Sequence, residues 1–224
     1  MDRYFSGEEF TYDEIRYALR MNVRSGDMVP VLVGTGINGN GCQMLLEILD
    51  MYYPGPDENF ISGTNTKTGE GFTADYNDQK PFSARVYKTL VDPFIGKYSM
   101  IKVCSGVLKP DTTVLNVNKD TEEKIGRLYV LRGKEAIEVS ELRAGDLGAI
   151  SKLSVTTTGD SLATKEVPIQ YEKTELSVPY TYMAYRAKNK GDEDKIASAL
   201  GKLMEEDQTL RSVNDKENRQ LLLY

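Results

Sequence analysis

PFSARVYKTLVDPFIGKYSMIKVCSGVLKPDTTVLNV, residues 81–117, with its continuation NKDTEEKIGRLYVLRGKEAIEVSELRAGDLGAISKLSVTTTGDSL, residues 118–162, decides the fold. Phe82, Ala84 and Val86 alternate with Ser83, Arg85 and Tyr87, and Ile101 and Val103 alternate with Met100, Lys102 and Cys104. A period of two sends one set of side chains inward, as in a half-buried strand. Further strand-length runs at 113–117, 124–131 and 147–153 are separated by Ser105-Gly106, Lys109-Pro110-Asp111, Arg132-Gly133-Lys134 and Ala144-Gly145-Asp146. These are turns, because Pro fixes φ and Gly supplies positive φ. Five or six short strands leave no spare sheet to cover their edges, so closure into a small antiparallel barrel is expected.

The flanks read as incomplete. Residues 10–26 predict a helix with Thr11 as N-cap, Glu14 as its capping-box partner, Phe10 stapled to Ile15 and Gly26 as the stop. Residues 28–33 are wholly apolar and predict a short strand buried on both faces of a parallel sheet, and 42–53 predict a second helix that stops at Pro54-Gly55-Pro56. A single parallel strand between two helices lacks the neighbours that its N–H and C=O groups need. Residues 57–80 read as a polar connector with a loose hairpin around Thr66-Lys67-Thr68-Gly69.

After the barrel, 165–176 read as a charged linker with an extended piece that returns to the barrel, and 178–187 as a strand. A helix is predicted over 192–208, where Ile196, Ala199, Leu200, Leu203 and Met204 form one face and Asp192, Glu193 and Asp194 sit at the positive N-terminus. Two further strands, 210–213 and 220–224, give a β-α-β-β pattern short of a full split βαβ sandwich. The acidic run Glu205-Glu206-Asp207 opposes the helix dipole and reads first as a solvated end, with an interface in the parent as the other reading. Leu221, Leu222, Leu223 and Tyr224 read as an open apolar edge that invites self-association.

Composition narrows the chemistry. The 224 residues contain no histidine, which excludes Ser-His-Asp and Cys-His nucleophiles and most zinc sites within them. Two cysteines far apart, Cys42 and Cys104, argue against a disulfide framework and read as reduced, buried small hydrophobes. No apolar run approaches a membrane span and the first ten residues are polar, so no membrane partner is expected and the cytoplasm is the default. Residues 1–80 carry 6 Lys/Arg against 13 Asp/Glu, residues 81–163 carry 12 against 10, and residues 164–224 carry 10 against 11. Only the barrel is basic, so a phosphate backbone would meet a local patch and no strong overall field.

Four turns in order, DPFIGK (92–97), SGVLKPDT (105–112), AGDLGAI (144–150) and TTTGDSL (156–162), give the barrel a resemblance to the second domain of bacterial elongation factor G, the ribosomal translocation GTPase. The resemblance extends over the whole chain. It implies residues 1–56 as the end of the GTP-binding domain, 57–80 as connector, 81–165 as the barrel, 166–177 as linker and 178–224 as the start of a ferredoxin-like third domain. The expected fold class is therefore mixed α and β: a small antiparallel β-barrel of the translation-factor second-domain type, between an incomplete α/β segment and a truncated ferredoxin-like β-α-β-β segment.

The resemblance also places Gly34, Thr35 and Gly36 at the family's fifth guanine-nucleotide motif, whose backbone N–H groups touch the base. Family members usually have Ser-Ala where Thr35-Gly36 stand here, and the added glycine loosens the loop. No phosphate loop or Asp-x-x-Gly motif is present, so no catalytic residue, metal or cofactor is expected in this fragment, and GTP and Mg belong to the parent protein. Lys97, Lys119, Lys124, Arg127, Arg132 and Lys134 are the candidate contacts to ribosomal RNA, and the ribosome is the implied partner. Thr156-Thr157-Thr158 with Gly159-Asp160 read as a turn that satisfies its own backbone. Tetracycline-type ribosomal protection proteins share these domains and are the alternative parent. An autonomous RNA- or protein-binding barrel is a third reading, disfavoured by the unfinished sheets at both ends.

Overall fold

The structure, a computed structural model, describes residues 2–55, 58, 60–92 and 96–224. Pro93, Phe94 and Ile95 of the DPFIGK turn, and Pro56 and Asp57 at the expected end of the first segment, lie outside the described residues. The chain divides into two compact units, Met1–Asn59 and Phe60–Tyr224.

In the first unit, α1 (Asp2–Phe5) is followed by α2 (Tyr12–Ser25) and α3 (Cys42–Tyr52). The capping box on α2 forms as read: Glu14 N donates to Thr11 Oγ1 at 3.3 Å, and Thr11 N donates to Glu14 Oε2 at 2.9 Å. Gly26 closes the helix in the left-handed region at φ 82°. Phe10 carries the Arg3 guanidinium over its ring at 4.9 Å. Residues 28–33 form no strand, and Val29, Val31 and Val33 are 75%, 89% and 89% exposed. An apolar run becomes a parallel strand only where neighbours take up its backbone groups, and the described residues of this unit provide none. Cys42 is exposed at the start of α3, whereas Cys104 is buried, which corrects the reading of both as interior.

The second unit begins with the hairpin β1 (Ile61–Asn65) and β2 (Gly71–Ala74). The barrel strands follow: β3 (Ser83–Asp92), β4 (Gly96–Ser105), β5 (Val107–Leu108), β6 (Thr113–Asn116), β7 (Thr121–Lys124), β8 (Leu128–Arg132), β9 (Glu135–Val139), β10 (Leu142–Arg143), β11 (Leu147–Ser151) and β12 (Ser161–Ala163). Eight of them form one antiparallel sheet in the order β7-β6-β12-β3-β4-β11-β8-β9. β7 ends that order and β8 is next to its other end, yet only Ile125, Gly126 and Arg127 join the two, so the sheet must curl on itself. Register breaks between Ser83/Ala84 and Val86/Lys88 bend β3 as a bulge does. The inward set meets in one core: Val86 and Ile101 pack with Val114 and Leu128 from opposite ends of the sheet order, and with Ile150 and Leu162. Gly106 is obligatory at its turn, since its φ is +69° and a Cβ there would stand 2.6 Å from the carbonyl oxygen of Lys80.

The stretches read as connector and linker come together. β13 (Ile169–Tyr171) pairs with β1 through Gly63–Tyr171, Thr64–Gln170 and Asn65–Ile169, giving a sheet of order β13-β1-β2. Ala74, Ile169 and Tyr171 pack with Cys104 of β4, which fastens this sheet to the barrel.

The last segment holds β14 (Met183–Tyr185), α4 (Glu193–Glu206), β15 (Ser212–Asp215) and β16 (Gln220–Leu223), with sheet order β14-β16-β15. The strand expected over 178–187 shortens to three residues, and Pro179 upstream has no N–H to give to a ladder. The terminal Leu run is the centre of its sheet: Leu221 pairs with both Tyr185 and Asn214, Leu222 with both Ala184 and Val213. The expected open edge at Leu221–Leu223 is therefore closed, and the free edges belong to β14 and β15.

Candidate functional site

Around Gly34-Thr35-Gly36 the backbone folds into a tight loop ahead of α3, with Thr35 N donating to Asn40 O at 2.9 Å. Close approach explains two of its glycines. A Cβ at Gly34 would lie 2.7 Å from Asn40 O and one at Gly41 would lie 2.9 Å from Val33 O, whereas Gly36 faces open space. A depression of about 270 Å³ sits against this loop, walled by Leu32, Val33, Cys42 and Leu45. Its lining contains no charged side chain, so what it can offer a ligand is an apolar wall, backbone N–H groups and the polar side chains of Thr35 and Asn40. The depression has no cationic side chain to pair with a phosphate.

In the barrel the polar chemistry gathers at two buried carboxylates: Asp160, read from the sequence as part of a turn, and Glu123, which the sequence reading did not name. Glu123 on β7 is 5% exposed. It accepts hydrogen bonds from Ser154 N at 2.5 Å, Val155 N at 3.0 Å and Thr156 N at 3.1 Å, and from the Thr156 hydroxyl. Asp160 is 0% exposed and accepts from Asn116 Nδ2 at 3.0 Å, Thr157 N at 2.9 Å and Thr157 Oγ1 at 3.1 Å. Lys119 and Lys173 each bring an ammonium within 3.1 Å of its oxygens. Burial alone would raise both acids. The donors outweigh it, holding Glu123 below its ordinary range and Asp160 at about 2 instead of 3.8. Together the two carboxylates pin the loop 154–160, so the Thr-rich turn satisfies its backbone through side chains from two other elements as well as its own.

The six candidate cations have separate surroundings. Lys119 donates to Val155 O and, at 2.9 Å, to Thr157 Oγ1, which makes it part of the loop clamp. Lys124 pairs with Asp111 at 3.3 Å, Arg127 with Glu138 at 3.4 Å and Arg132 with Glu135 at 2.8 Å, all on the surface. Lys134 follows Gly133 in the β8–β9 turn, and Lys97 lies opposite Val91 at the start of β4. Arg132 and Lys134 lie at the β8–β9 turn and Arg127 just before β8, while Lys119 precedes β7 and Lys124 is its last residue. Loosely held surface pairs of this kind give up their partners cheaply when a phosphate competes. Among the described residues no group of three or more His, Cys, Asp and Glu is arranged to hold a metal ion, and no helix is long and apolar enough to cross a membrane.

The molecule is similar in fold to a crystal structure of a protein from Thermus thermophilus, with TM-score 0.68 and 29% sequence identity, the likeness covering 100% of this chain and 31% of that one. The chain thus spans less than a third of that protein's length. Residues 81–165 match the model of elongation factor G domain 2 and residues 176–224 that of elongation factor G domain III. The first of these ranges takes in every barrel strand from β3 to β12, and the second holds the β-α-β-β segment from β14 to β16. With a curled antiparallel barrel followed by a helix and a three-stranded sheet, in the order in which the two domain models match, the chain belongs to the elongation factor G family of translation factors.

Proposed function

We propose that this chain is the ribosome-docking part of an elongation factor G-type GTPase that moves transfer RNA and messenger RNA, acting in the cytoplasm. Domain 2 is the rigid scaffold in this reading, and the first unit is the end of the GTP-binding domain. GTP and Mg are held by residues outside this chain, and Gly34-Thr35-Gly36 line only one side of the base site. The observation that carries the reading is the succession of a domain 2 match at 81–165 and a domain III match at 176–224. A closed core fixes the surface turns of the barrel, so cations on the β8–β9 hairpin keep their spacing when they meet a phosphate backbone.

The test is co-sedimentation of the full chain with purified ribosomes over a range of salt. Salt-dependent pelleting is expected, weakened by Arg132→Glu combined with Lys134→Glu at the β8–β9 turn. Absence of pelleting at low salt, or pelleting indifferent to both salt and these substitutions, would overturn the reading.

A further inference from the structure

We propose that the C-terminal end of α4 is a polar latch that fixes the domain III segment on the barrel, with Glu206 and Gln208 as its two contacts. The geometry begins with β3. Its pairing with β12 covers only Ser83 to Arg85, and Val86 is completed by Asp160 O and Gly159 N. From there to Asp92, β3 has β4 along one side, and α4 lies along the strand. A strand edge left in this state needs a cover or a partner for its N–H groups.

Glu206 supplies one partner, its Oε1 accepting from Val91 N at 2.6 Å. Gln208 supplies a second link, its Nε2 donating to Thr158 O at 3.1 Å. Thr158 is well placed to receive it: its hydroxyl is 2.9 Å from that of Thr89 on β3, and it lies in the loop pinned by Glu123 and Asp160. Glu206 at the negative end of a helix dipole is locally unfavourable, and the strand N–H offsets that cost only while the two segments are docked. Of the acidic run, Glu206 is therefore a contact, in line with the second of the two readings of that end. No residue of α4 is fully buried and Ile196, Leu200 and Met204 are half-buried, so the hydrogen bonds add direction to a limited apolar contact. Such a contact defines an orientation and can still be opened without dismantling either core.

The test uses the 224-residue chain and amide hydrogen exchange read residue by residue. Glu206→Ala should speed exchange at Val91 about tenfold while amides inside the β3–β4 ladder keep their rates. Glu206→Gln, which retains an acceptor oxygen, should keep most of the protection. The pair Glu206→Ala with Gln208→Ala should enlarge the radius of gyration in X-ray scattering with barrel protection intact. An unchanged Val91 rate in Glu206→Ala, equal loss in Ala and Gln variants with faster exchange throughout the barrel, or an unchanged radius in the double variant would each overturn the latch.

Discussion

Asp160 illustrates how one buried charge is made tolerable, and what happens when the arrangement is disturbed. A carboxylate with 0% exposure is costly unless donors surround it, and here an amide, a backbone N–H, a hydroxyl and two ammonium groups do so. Asp160→Asn keeps the shape but removes the charge that orders Lys119 and Lys173, and it sets an NH₂ against existing donors. The expected cost is roughly 2 to 3 kcal/mol, a fall in melting temperature of about 4 to 12 °C for a unit of this size. The pH dependence has a definite sign. The folded carboxyl titrates at about 2 and its ordinary value is 3.8, so the folded state binds this proton less readily than the unfolded state does. The stabilisation is full above about pH 4 and is lost as pH falls toward 2. Thermal melts of the wild type between about pH 5 and pH 2 should show this decline, and Asp160→Asn should flatten it. A variant that melts like the wild type at neutral pH would show that the charge is immaterial. Neither Asp160 nor Glu123 was legible as a site from sequence, because Glu123 in TEEK has the look of a solvated strand residue and its donors lie about thirty positions away. Only the Thr run beside Gly159-Asp160 signalled that a carboxylate would be needed.

Elements whose causes are local were the most legible. The capping box of α2 and the turn residues of the barrel each carry their reason within a few positions, and they fold as read. Pairing across long separations was hidden, since nothing within 61–65 or 169–171 announces that Gly63 will lie opposite Tyr171. The apolar run at 28–33 misled for a related reason: its valines suit a buried strand, but Pro30 has no N–H for a ladder and composition does not supply the neighbours. β16 was legible as a strand and misplaced in its sheet. With Ala184 on one side of Leu222 and Val213 on the other, it is the strand on which the whole three-stranded sheet depends. Leu222 is 6% exposed, so Leu222→Asp puts an unpaired charge where apolar contacts were. Exchange protection should collapse in β14, β15 and β16 together and persist in the β3–β4 ladder. Protection lost only at β16 would mean that the sheet does not act as a unit.

For the whole molecule, the two units differ in what they bury. None of the described residues of the first unit is buried, whereas the second has a closed core with a satellite cluster around Tyr171. Self-association was expected at the terminal Leu run, but that strand is now paired on both sides and its Leu222 is covered. The unmet surface is instead at Val29, Val31 and Val33, which project from an extended segment with 75%, 89% and 89% of their surface in water. Although Pro30 withholds one N–H from any ladder, the alternating valines form an exposed apolar stripe that a second copy can cover. The chain should therefore associate with rising concentration in sedimentation velocity through residues 28–33. Val31→Lys with Val33→Lys should return it to a monomer, since opposed lysines in a paired strand repel and hydrate the face. Leu221→Lys should leave association unchanged or increase it by opening the C-terminal sheet. If Leu221→Lys gives the monomer and the valine pair does not, association runs through the last segment despite its paired central strand.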